Sequence, residues 1–264
     1  MVQRTELASL DHFFLLRELV KRDFEGRYAG SALGFLWSLV QPLWQLVLFT
    51  FVFSVVLRFS LIGERTDNFA VYLFGGLLPW MAVSEGVSRS TTAVTASAEL
   101  VKKLNFPAEI LVVSAVLGAL IQSAIAAGLF AIVLAVVGQL SILSLPLLVL
   151  VLVPQLALTL GIGLSLATVH VFVRDTAQVL GMLMMGWFYL TPIVYPLSMV
   201  PEQLQRWMAL NPLTPLVGFY RMAFLGGGTE WLAGTGALLV SASVSLTFGL
   251  WLFRRAKSAF PDEV

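Results

Sequence analysis

Little in this chain can do covalent chemistry. Its two histidines, His12 and His170, fall in different segments, without the partner spacing of an HExxH zinc motif, and neither is assigned a role. The sequence contains no GxSxG nucleophile motif and no Walker A sequence GxxxxGK[ST], so it neither hydrolyses esters by that route nor binds ATP by itself. With no cysteine, disulfides and thiolate chemistry are excluded. Paired carboxylates at a plausible depth are missing too. The expectation is a non-enzyme with no cofactor and no metal of its own.

The elements that carry these residues explain the scarcity. Of 264 residues, 58% are hydrophobic and 12% charged, with a mean hydropathy of +0.90, too little polar surface to cover a soluble globule. The pattern predicts an all-α polytopic membrane protein with six transmembrane helices over 34–57, 69–88, 110–137, 145–173, 179–194 and 231–253. Ahead of the first span, residues 7–30 interleave Arg17, Glu18, Lys21, Arg22, Asp23, Glu25 and Arg27 with Phe13, Phe14, Leu15, Leu16, Leu19, Val20 and Phe24. A helix of that pattern is amphipathic and lies along the membrane interface. No removable signal peptide is read at the N-terminus. Between spans five and six, residues 201–225 hold prolines and pieces too short to span. These fit two short re-entrant helices, Glu202 to Leu210 and Leu216 to Leu225, because irregular backbone at depth must be buried in protein.

Six spans put both termini on one side. Of the 16 basic residues, all but Arg58, Arg65, Arg206 and Arg221 fall on the side of the termini, which the positive-inside rule makes cytoplasmic. Coupling to an ion gradient normally uses ionisable residues near the bilayer midplane, and Glu85 in span two is the one Asp, Glu, Lys or Arg inside a span. Arg89 follows at i,i+4, so the pair reads as a structural ion pair at a helix end, with gating as the other reading. On the cytoplasmic side, the polar stretch Ser88 to Glu109 is expected to hold a short helix outside the bilayer, at 97–106. Glu99, Lys102 and Lys103 fall on its wet side, and Leu100, Leu104 and Phe106 on the other. That shape suits either docking into a groove on a partner or resting on the headgroups.

The motifs then resemble a known family: membrane permease subunits of ABC-2 type transporters that export polysaccharides such as O-antigen, teichoic acid and capsule. The resemblance covers nearly the whole chain. It rests on Arg22, Asp23, Arg27, Tyr28, Ser31, Leu33, Gly34, Trp37 and Pro42, on FGGLLPW from Phe74 to Trp80, and on Leu100, Lys103, Phe106 and Pro107. It continues through Arg174, Asp175, Thr191, Pro192 and Tyr195, then Asn211, Pro212, Tyr220 and Arg221. Glu25 departs from it, standing where many relatives have a basic residue.

The resemblance implies a homodimer with two copies of a separate nucleotide-binding ATPase, which would bind ATP and Mg, in the bacterial cytoplasmic (inner) membrane. It implies that Leu100, Lys102, Lys103, Leu104 and Phe106 belong to a coupling helix docked in that ATPase, and that 201–225 forms outer gate helices. It implies a lipid-linked glycan as cargo and no nucleic-acid partner. Sugars present C–H faces that pack on aromatic rings, so Phe35, Trp37, Trp44, Trp80, Trp187, Phe188 and Tyr189 are candidates to line the channel, an interfacial aromatic belt being the other reading. Arg22 and Arg27 sit where the lipid diphosphate would enter, and arginine forks match phosphate oxygens; attraction to anionic headgroups is the alternative.

Overall fold

The computed structural model describes residues 13–23, 25–26, 30–57, 66, 68–102, 106–227 and 234–264, and the regular elements among them are all helical. Residues 13–23 form α1; of the expected interfacial helix, 7–12, 24 and 27–29 lie outside the described residues. A 3-10 turn, Gly34–Leu36, leads into α2 (Trp37–Phe49), which continues as a π-helical segment over Thr50–Val56. Pro42 inside α2 has no N–H, so the Ser38 carbonyl one turn earlier loses its helical partner. Nε2 of Gln122, from a neighbouring helix, lies 3.4 Å from that oxygen.

The centre of the bundle is α3 (Phe69–Ala96), capped at its start by the Asn68 side chain, which accepts from the backbone N–H of Ala70 and Val71. Every residue from Phe69 to Trp80 is buried. The helix runs past the expected limit at 88, through the polar stretch SRSTTAVTA. There Ser90 and Thr91 hydroxyls donate to the Val87 carbonyl at 2.9 and 2.8 Å, so a sequence that reads as too wet for the bundle is satisfied by its own backbone.

One turn, α4 (Ala98–Val101), precedes α5 (Glu109–Val137), a 3-10 turn at Ile142–Ser144 and α6 (Pro146–Phe172). Then follow α7 (Thr176–Tyr189), α8 (Glu202–Leu210), α9 (Leu213–Leu225), α10 (Thr235–Ala256) and α11 (Phe260–Glu263). The tightest seam is between α6 and α10. A Cβ on Gly161 would stand 2.2 Å from the Ser245 carbonyl carbon, and one on Gly249 would stand 2.3 Å from the Gly161 oxygen. Only glycine on both helices lets the backbones touch, as small residues do in membrane bundles.

Among the described residues, five helical stretches are long and apolar enough to cross a membrane: Gly34–Val56, Phe69–Ala96, Glu109–Val137, Ile142–Phe172 and Thr235–Glu263. The fifth expected span, 179–194, differs. Its helix α7 has 14 residues, about 21 Å at ~1.5 Å per residue, short of a ~30 Å hydrocarbon core. Pro192 explains the stop, because it disfavours helical backbone at Thr191 and cannot donate back.

The two ends of the bundle are tied separately. At one end, Lys257 after α10 bonds Glu109 at the start of α5 at 2.8 Å, and Phe260 packs on Phe253 and on Phe172 at the end of α6. At the other, Ser141 N–H donates to the Phe224 carbonyl at the end of α9 at 2.8 Å, and Thr66 donates to Gln139 at 3.4 Å.

Candidate functional site

The Lys257 end gathers those residues singled out for entry and coupling that are described. A small apolar cluster there contains Leu19 of α1, Val94 of α3, Val101 of α4, Leu111, Val171 and Phe260. Arg89 bonds Asp23 of α1 and also Glu85 at 3.5 Å, so the expected helix-end pair is one half of a bridge that fastens α1 to α3. Asp23 was recognised only as part of a motif; the spacing alone gave no hint of its reach across 66 residues. Arg22 is exposed and lines a crevice of about 230 Å³ with Asp23, Arg89, Ser97 and Ser114, while Arg27 lies outside the described residues.

The expected coupling segment, 97–106, is helical over the single turn of α4 among the described residues. Leu100 and Phe106 pack against the cluster just described, Glu99 and Lys102 are exposed, and Lys103 and Leu104 lie outside the described residues. The described part of the segment is therefore anchored to the bundle through Val101, with Glu99 and Lys102 facing outward.

The seven aromatics divide into two sets. Phe35, Trp37, Trp44 and Tyr189 are exposed, Trp44 by 65%. Trp80, Trp187 and Phe188 instead pack together, with Trp80 edge-on to Trp187 at 6.4 Å and to Phe188 at 5.5 Å. This second group is held by Asn211. The Trp187 indole N–H donates to Asn211 Oδ1 at 2.9 Å, the Leu213 N–H donates to the same oxygen at 3.1 Å, and Asn211 Nδ2 donates to Thr191 Oγ1 at 2.9 Å.

Next to it lies Arg221, which the charge count assigns to the outer side and which is buried in α9. Its Nε donates to the Tyr72 carbonyl at 3.1 Å, Nη1 to the Tyr72 hydroxyl at 2.8 Å and the Pro192 carbonyl at 2.9 Å, and Nη2 to the Ile193 carbonyl at 2.7 Å. The guanidinium also lies over the Tyr72 ring, 3.5 Å from its centroid. A Cβ on Gly76 would approach Nη2 to 2.7 Å, which explains the second glycine of the Phe74–Trp80 stretch. The usable signal was a lone arginine inside the apolar run LVGFYRMAFL, which cannot form an ordinary exposed loop.

Motifs far apart in sequence thus meet at one knot of α3, the 190–196 turn and α9. Residues 15–225 match the family of ABC-2 type transporters. The chain belongs to that family. Among curated proteins, this ABC-2 chain is 31% identical over 256 residues to the O-antigen export system permease protein RfbA of Myxococcus xanthus, and 28% identical over 257 residues to RfbA of Klebsiella pneumoniae, in both cases across 95% of each chain. It is 26% identical over 245 residues to the polysialic acid transport protein KpsM of Escherichia coli, across 91% of this chain and 93% of that one. The matched region of this ABC-2 chain holds α1, the Asp23–Arg89 bridge, α4 and the Arg221 knot.

Proposed function

We propose that this ABC-2 chain is the membrane permease subunit of an ATP-driven exporter that moves a lipid-linked polysaccharide out across the bacterial cytoplasmic membrane. One observation carries the reading: the similarity to O-antigen permeases and to a polysialic acid transporter runs end to end, through two kinds of exporter whose cargoes share being glycans. Two copies of the chain form the path, and two copies of a separate ATPase bind ATP and Mg and drive it. The segment 97–106 meets the ATPase, with Leu100 and Phe106 gripping the bundle while Glu99, Lys102, Lys103 and Leu104 engage the partner. Arg22 and Arg27 receive the lipid diphosphate, and α8 and α9 form the outer gate. The exposed aromatics Phe35, Trp37, Trp44 and Tyr189 offer sliding contacts to sugars, and Trp80, Trp187 and Phe188 brace the gate from behind.

Both termini lie in the cytoplasm and the chain crosses six times. The end ties support this count, because Phe172 and Lys257 share one end while Phe224 lies at the other, so the chain between Phe172 and Phe224 traverses the bundle.

Deleting the gene in the source organism tests the function: the surface glycan should disappear, its lipid-linked precursor should accumulate inside, and a plasmid copy should restore export. Affinity isolation of the chain from those membranes should bring down a Walker-motif ATPase in equal amount. Leu104→Asp should keep the chain in the membrane and lose both export and the ATPase. A small-molecule ABC-2 permease would leave the surface glycan intact, and a stand-alone transporter would come out of the membrane alone.

A further inference from the structure

Polar side chains inside a membrane bundle are costly and persist where they have a task. The five long spans carry four glutamines, Gln41, Gln45, Gln122 and Gln155. Gln155 is buried away from the rest, where its Oε1 accepts from the Tyr220 hydroxyl at 2.7 Å and its Nε2 has no partner among the described residues. The other three converge on one cleft of about 250 Å³ between α2, α3 and α5, which Glu85 and Ser123 also line. Ser123 is engaged with the Leu78 carbonyl at 3.1 Å, and Gln122 with the carbonyl freed by Pro42. Gln45 is half-buried and Gln41 stands exposed. Among the described residues neither of these two amides has a hydrogen-bond partner.

The same face of α2 carries aromatic rings. At 3.6 residues per turn, positions 37, 41 and 44 fall within a sector of about 60°, and position 45 turns from that stripe into the cleft. Trp37 and Trp44 are both exposed on it. Amides that donate and accept, next to flat indole faces, match a ligand with hydroxyl edges and apolar C–H faces. An acyl chain would leave the amides of Gln41 and Gln45 without partners, and a cation would meet one carboxylate already bonded to Arg89.

We propose that the Gln41–Gln45–Gln122 cleft, flanked by Trp37 and Trp44, is a sugar-binding subsite within the membrane-spanning part of each protomer, holding one hydroxyl-rich unit of the passing glycan. The assignment rests on the export reading above. Gln41 and Gln45 match the ligand's hydroxyls, and Gln122 and Glu85 form the cleft wall beside them.

The test uses the full transporter in its own cells. The double variant Gln41→Leu/Gln45→Leu removes two amides that make no hydrogen bond among the described residues, so it should reach the membrane at wild-type level and keep its ATPase. Its export of surface glycan should fall about tenfold, the effect of ~1.4 kcal/mol, while Gln41→Asn/Gln45→Asn should retain most export. A benzophenone amino acid at position 45, irradiated during export, should give an adduct detected by antibody against the glycan. If gene deletion leaves the surface glycan untouched, the export reading itself fails. If deletion abolishes the glycan but the leucine variant exports at the wild-type rate, or the benzophenone captures only phospholipid, the subsite is overturned and the export reading stands.

Discussion

A single guanidinium fastens the most irregular part of this molecule. Arg221 supplies four hydrogen bonds to three carbonyls and one hydroxyl, and the carbonyls of Pro192 and Ile193 belong to a turn that has no helical partners to offer. Lysine keeps the charge but lacks the planar fork, so Arg221→Lys cannot hold Tyr72, Pro192 and Ile193 at once. Leaving a buried acceptor of this kind unpaired costs ~1–3 kcal/mol. The variant should therefore lower the thermal midpoint of the detergent-extracted protein and reduce its yield, a result read by following aggregation on heating. Gly76→Ala should also destabilise, because its new methyl group meets Nη2. Much of that penalty should vanish in an Arg221→Met background, where the clashing group is gone. Such a double-mutant cycle gives strong non-additivity if the two residues share one space, and simple additivity would refute the contact.

Helices are held together here by what they lack as much as by what they carry. Gly161→Ala should disrupt the α6–α10 seam, since the added carbon would overlap the backbone of Ser245 and Leu246 with no flexible side chain to move aside. Overpacking of this kind costs ~1–3 kcal/mol or more. Gly128→Ala in α5 meets nothing within 4 Å, and should leave the midpoint unchanged in the same heating assay. These seams were invisible in the sequence, where Gly161 and Gly249 are two glycines among 21. Long apolar runs were legible because their length alone decides the matter, and so were the two short helices of 201–225, from Pro201 and the Asn211–Pro212 break. The end of α3 was not, because hydroxyls bonded to Val87 make a polar sequence behave as an apolar one. In the candidate site, Glu85 and Arg89 were paired correctly from their spacing, and the apolar run around Arg221 signalled its burial, while the reach of Asp23 and the glutamine cleft depend on contacts between distant segments that no local pattern encodes.

At the scale of the whole molecule, the short helix α7 poses the topological question. Its 14 residues fall short of a bilayer, yet the chain leaves α6 at the end where Phe172 meets Phe260 and reappears at the opposite end, where Phe224 meets Ser141. A return by α7 and the Arg221-held turn accounts for both facts, since non-helical backbone is tolerated at depth when protein satisfies it. If α7 failed to cross, α8 would share a side with α11. The cysteine-free sequence makes this decidable. Gln203→Cys in α8 and Glu263→Cys in α11 are both exposed positions. A membrane-impermeant maleimide added to intact spheroplasts should label the first and spare the second until the membrane is broken. Labelling of both, or of neither, would place α8 and α11 on one side and remove the sixth crossing. Labelling of the second alone would keep the crossing and reverse the orientation, putting the Asp23–Arg89 bridge and α4 outside, where no ATPase could reach them.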